Sequence, residues 1–118
     1  MLLNLSNHPS AAWSEVQLAA ARSRFGQEIQ DLPHPEIPPE AGSEEVVQLA
    51  EAYFEKVIAL NPKAVHIMGE QTFCFALIQK LLHAGIPCYA STTRRQVDHL
   101  SDTEIRRSFV FVRFREYG

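Results

Sequence analysis

Three short segments hold most of the side chains in this sequence that could do chemistry. The first is Ser6-Asn7-His8-Pro9-Ser10, the second Gly69-Glu70-Gln71-Thr72, and the third Ser91-Thr92-Thr93-Arg94-Arg95. Each follows a short apolar run, as a loop leaving a strand does. Arg94 and Arg95 can offer forked donors to phosphate. Asn7, Ser6, Ser10, Ser91, Thr92 and Thr93 can hydrogen-bond sugars or bases. Gln71 and Thr72 fall where a following helix would leave backbone N–H groups free for an anion. Gly69 allows close approach of a ligand or a second backbone. His8 can act as general acid or base, or donate to phosphate, and with Arg94 it is the candidate for catalysis. Glu70 would repel a phosphate. It suits a ribose hydroxyl, a base edge or the first turn of the helix better. Each residue also has a plain structural use: Gly69 and His8 in turns, Thr72 as a helix cap, the arginines as solvated charges.

The rest of the chain narrows the chemistry. There is no G-x-G-x-x-G after the first strand, no G-x-x-x-x-G-K-[ST] and no G-x-S-x-G. A dinucleotide cofactor, a P-loop nucleotidase and a hydrolase elbow are therefore not expected. No histidine pair has zinc spacing, and no metal site or other cofactor is expected. His66 falls within a buried strand and reads as a hydrogen-bonded core residue. Eleven basic against fourteen acidic residues give a net charge of −3, which disfavours a bulk grip on duplex nucleic acid. No apolar run is long enough to cross a membrane, and the start lacks signal-peptide character. Cys74 and Cys88 lack C-x-x-C spacing and read as buried thiols of a cytoplasmic protein.

The elements that would position the three segments can be read from pattern and punctuation. Leu2–Leu5 is a first strand. Ser14 and Gln17 form a capping box, Trp13 and Leu18 a staple, and Gly26 ends this first helix. Glu28–Leu32 is a second strand. Pro33, Pro35, Pro38 and Pro39 then impose a stiff extended loop. Ser43 caps a second helix that Asn61-Pro62 stops. Ala64–Met68 is a third strand, and a third helix, apolar on most sides, runs to about Ala84. Ile86–Ser91 is a fourth strand. Arg95–Leu100 and Ile105–Arg115 read as a hairpin whose second arm joins the sheet antiparallel. The 118 residues make one domain. The expected fold is α/β: a Rossmann-like three-layer sandwich, mainly parallel, of strand order 2-1-3-4, with the antiparallel hairpin at the C-terminal edge. In such a sheet the site lies where the order reverses, between strands one and three. The three segments are thus expected to line one electropositive cleft.

The order of elements, with Leu5-Ser6-Asn7-His8-Pro9-Ser10 and Met68-Gly69-Glu70-Gln71-Thr72 as strand exits, resembles the CRISPR-associated Rossmann fold (CARF) family. The small stand-alone members of type III CRISPR systems are the most similar. Glu70 stands where the family usually shows a second glycine or serine. The resemblance implies a homodimer that binds a cyclic oligoadenylate across its two-fold axis, as sensor, sponge or metal-independent ring nuclease. In the last case the ribose 2′-hydroxyl is the nucleophile, and the site supplies position. An isologous dimer suits a symmetric ring. The third helix, with Phe73 and Phe75, is the expected interface. Two other readings stand beside this one: an enzyme on a nucleotide or nucleotide-sugar using the same loops, and a non-catalytic protein-interaction module using the third helix and the hairpin.

Overall fold

A computed structural model describes residues 1–118. The elements in order are β1 (Leu2–Leu5), α1 (Glu15–Phe25), β2 (Ile29–Asp31), α2 (Ser43–Leu60), β3 (Ala64–Ile67), α3 (Gln71–His83), β4 (Cys88–His99) and β5 (Ile105–Glu116). They build one α/β unit with a mixed five-stranded sheet of order β2-β1-β3-β4-β5. The first four strands are parallel, and β5 runs antiparallel to β4.

β1 and β3 are buried along their whole length, as strands covered on both faces must be. Leu3, Leu5, Val65 and Ile67 face α2 and α3, where Val46, Ala50, Phe73, Leu77 and Leu81 complete the larger core. Leu2 and Ala64 face the other way and pack with Trp13, Ala21, Phe25, Tyr89, Phe111 and Phe114 around α1. Ser14 Oγ caps α1 by accepting the Gln17 N–H at 3.2 Å. Gly26 ends the helix at φ +103°. Gly42, rather than Ser43, takes the cap position of α2, and Glu45 accepts its N–H at 3.5 Å.

The fourth strand differs from expectation. The sequence suggests a strand to Ser91, a polar loop, and a hairpin arm from Arg95. Instead Cys88–His99 is one unbroken strand paired to β5 from Tyr89 to His99. Ser91-Thr92-Thr93-Arg94-Arg95 is therefore strand, not loop. Only the start of β4 lies in the sheet body, because β3 pairs with Cys88 and Tyr89 alone. The rest projects as a two-stranded arm. The radius of gyration records this: 16.1 Å, against roughly 13–14 Å for a compact chain of this length. The register slips between Thr92 and Thr93, leaving Val112 as an extra residue on β5. That slip lets Phe111 and Phe114, three positions apart, both turn towards α1.

Phe73, expected at an interface, is fully buried within the chain against His34 and Tyr53. Phe75 is 65% exposed. No helix is long and apolar enough to cross a membrane.

Candidate functional site: a cleft above β1 and β3

Asn4, Ser6 and His66 are the only buried polar side chains. They are bonded to one another. Asn4 and His66 are register partners across β1 and β3, on the face shared with Trp13 and Phe114. Asn4 Nδ2 donates to the His8 carbonyl at 2.8 Å and to Asp31 Oδ1 at 2.9 Å. Asn4 Oδ1 accepts from the Ser6 hydroxyl at 2.8 Å and faces His66 Nδ1 at 2.9 Å. His66 Nε2 lies 3.1 Å from Ser91 Oγ. The edge of Trp13 and the ring of Phe114 pack on the imidazole, with centroids 5.2 and 5.6 Å away. Burial, helped by the nearby His8 charge, lowers the His66 pKa to about 4. The ring is neutral at physiological pH.

A cleft of about 710 Å³ opens above this network. Ser6, Asn7 and His8 line it just past the end of β1, Met68 and Gly69 just past the end of β3, and Ser91 and Thr93 from within β4. The start of α1 adds Trp13, Ser14 and Gln17, and the arm adds Phe109 and Phe111. Its position matches the expected reversal of strand order.

Of the residues singled out from sequence, Ser6, Asn7, His8, Gly69, Ser91 and Thr93 meet here. The others do not, each for a physical reason. Ser10 is turned to Asp31, donating through its N–H (3.1 Å) and hydroxyl (3.0 Å). Thr92 alternates to the opposite face of β4 and donates to the Arg113 carbonyl at 3.2 Å. Arg94 shares that opposite face. Arg95 shares the face of Thr93, but stands further along the arm, opposite Phe109. No lysine or arginine lines the cleft, so the expected electropositive lining is absent from the single chain.

The anion seat at the start of α3 is filled by the chain itself. Glu70 accepts the N–H groups of Thr72 (3.1 Å) and Phe73 (2.8 Å) and both its oxygens take the Thr72 hydroxyl. These bonds, the Thr72 hydroxyl first, hold its carboxyl below the usual glutamate value. Glu70 and Thr72 thus cap α3. Gln71 turns to a second cavity of about 610 Å³ along α3, beside Cys74 and Phe75. What approaches Gly69 is neither ligand nor backbone: a Cβ there would overlap the His34 imidazole.

Among the residues that pattern reading left out of the site are Asn4, Trp13, Ser14, Gln17, His66, Phe109 and Phe111. Asn4 and His66 carried a signal: each is the polar third residue of a four-residue apolar strand.

The sequence profile of the family described as "uncharacterized protein MJ1673 family" matches residues 1–115. The chain belongs to the MJ1673 family. The match spans every element above but the last residue of β5, and includes both walls of the cleft and the arm. No curated protein and no solved structure matches the chain.

The two thiols of this MJ1673-family chain lie away from the cleft. Burial pushes the Cys74 thiol up to about 11, with the Glu70 charge adding to it, and Cys88 up to about 12. Cys74 Sγ sits 3.8 Å from His34 Nε2. Because His34 Nδ1 faces the Pro35 carbonyl at 2.8 Å, it carries the proton, and Nε2 is left to accept from the thiol.

Proposed function

We propose that this MJ1673-family chain is a Rossmann-like, CARF-type domain that binds a cyclic oligoadenylate as a homodimer in type III CRISPR signalling in the cytoplasm. Its role is that of sensor, sponge or metal-independent ring nuclease. The supporting observation is the cleft itself. It lies at the strand-order reversal, has hydroxyl and amide groups on its floor, and has aromatic rings at its arm side. Aromatic faces stack bases, and hydroxyls and amides suit ribose.

A single chain offers no fixed cation to the phosphates. In a homodimer the hairpin of a second copy can supply them. Six of the eleven lysines and arginines lie on Cys88–Glu116, with only four of the fourteen acidic residues, so the arm is basic and the body acidic. Phe109, 71% exposed, and Val97 and Ile105 give the same arm an apolar stripe. That stripe also favours a second reading, a protein-interaction module docking through the arm.

The test is calorimetric titration of the full chain with cyclic tri-, tetra- and hexa-adenylate, AMP and ATP, alongside light scattering. Binding of one ring per two chains is the expected result. A monomer that binds only mononucleotides would favour a nucleotide enzyme. A chain that binds none would leave the interaction module.

A further inference from the structure

We propose that Ser91 and His66, the latter oriented by Asn4, form a proton relay whose open end, Ser91 Oγ, takes the proton of the ribose 2′-hydroxyl during ring opening. This deepens the nucleotide reading above and rests on it.

The direction of every hydrogen bond in the network follows from its far end. The His8 carbonyl and the Asp31 carboxylate only accept, so the Asn4 group facing them is its NH2. Asn4 therefore presents its carbonyl oxygen to His66 Nδ1. Nδ1 must carry the proton, and Nε2 is a bare lone pair aimed at Ser91 Oγ. The Met68 sulfur lies 3.1 Å from the same hydroxyl and 3.3 Å from the Ser91 N–H. Sulfur is the weaker acceptor, so the hydroxyl proton goes to imidazole and the N–H faces the sulfur. Ser91 Oγ then turns its own lone pairs to the cleft. A ligand group meeting it must be a donor, and a sugar hydroxyl is one.

The arrangement has the parts that hydroxyl activation needs: a hydroxyl, a base bonded to it, and a third group fixing the base. Asp31 supplies a negative charge one hydrogen bond beyond Asn4. His66 meets its Nε2 partner in a half-buried serine that lines the cleft, so the chain of bonds ends where a ligand can reach it.

The step balances without metal or external nucleophile. The 2′-hydroxyl proton moves to Ser91 Oγ as the Ser91 proton moves to His66 Nε2. O2′ bonds to the adjacent phosphorus, giving a 2′,3′-cyclic phosphate, and the P–O5′ bond breaks. The leaving 5′-oxygen takes a proton from water. His66 returns its proton through Ser91 to the hydroxide so formed.

The experiment incubates the full chain with cyclic tetra- and hexa-adenylate and follows binding by calorimetry and products by mass spectrometry. Expected are a linear product ending in a 2′,3′-cyclic phosphate and a 2′-O-methyl ring that binds uncut. Ser91→Ala and His66→Gln should bind within about tenfold of wild type, the loss of one neutral hydrogen bond, yet turn over about a hundredfold slower. Tight binding with no cleavage, or unimpaired cleavage by either variant, overturns the relay and leaves the binding reading standing. No binding of any ring overturns both. Long-range proton–nitrogen NMR of the wild-type chain gives a check that needs no variant to fold. His66 protonated at Nδ1 supports the relay, and protonation at Nε2 overturns it.

Discussion

The imidazole of His34 occupies the place where a Cβ on Gly69 would stand. The proline-stiffened segment from Pro33 to Pro39 thus crosses the exit of β3 and rests on the one residue there without a side chain. Gly69 is required by its neighbour, not by its own backbone, since its φ is not positive.

Gly69→Ala should therefore displace His34 and cost stability by overpacking, about 1–3 kcal/mol in urea denaturation. Adding His34→Ala should recover much of that loss, because the clash needs both groups. Two costs that simply add would show that His34 does not lie on Gly69.

The buried neutral His66 makes stability depend on pH with a definite sign. Its folded pKa is about 4, against 6.5 unfolded. Between those values the unfolded chain holds the extra proton, so stability rises with pH across that window and is lost on acidification. The full swing is at most about 3 kcal/mol. His8, whose charge acts on the ring, and Asp31, beyond Asn4, are the nearby titrating groups. His66→Gln should flatten the difference between pH 4.5 and 7 relative to wild type. An unchanged slope would mean that the ring is not buried neutral. Glu70 acts in the same direction at lower pH, its cap weakening as the carboxyl protonates.

Arg94 and Arg95 should behave differently although adjacent. Arg95 lies on the β4 face that Ser91 and Thr93 turn to the cleft, whereas Arg94 alternates to the opposite face. Arg95→Ala should weaken binding of a cyclic oligoadenylate about tenfold, as loss of one charge-assisted hydrogen bond does. Arg94→Ala should leave it within about twofold, a difference well below that of one such bond. Equal losses in the two titrations would place the ligand beyond the described cleft.

Neither cysteine should react readily. With thiols near 11 and 12, almost no thiolate exists at pH 8. Iodoacetamide should leave the native chain unmodified over the time in which the urea-unfolded chain takes up two groups by mass. Prompt single labelling of the native chain would contradict this.

The parallel half of the sheet is legible from residues because β1 and β3 are short apolar runs bounded by turns and followed by well-capped helices. The path of β4 is not. Beyond Tyr89 the strand leaves the core, so it loses the apolar alternation that marks a half-buried strand, and Ser-Thr-Thr-Arg-Arg looks like a loop. The two β-branched threonines were the remaining hint. The site divides along the same line. Residues on β1 and β3 fall where the strand order puts them. Those on β4 scatter to two faces because alternation, not loop proximity, decides where they point. The anion seat at α3 was ambiguous in sequence, since a glutamate before a helix can cap it as well as any ligand.

The projecting ribbon also raises a problem of self-association that has nothing to do with ligands. β5 runs twelve residues with its outer backbone unpaired, and β4 past Tyr89 is bare on its other side. Such edges invite further strands to accrete into fibrils. Six arginines stud the two strands, at 94, 95, 106, 107, 113 and 115. Any copy adding edge to edge in register would bring like charges together. The cations of the arm thus guard the chain against its own kind in the plane of the sheet, leaving its faces as the surfaces through which it can meet a partner.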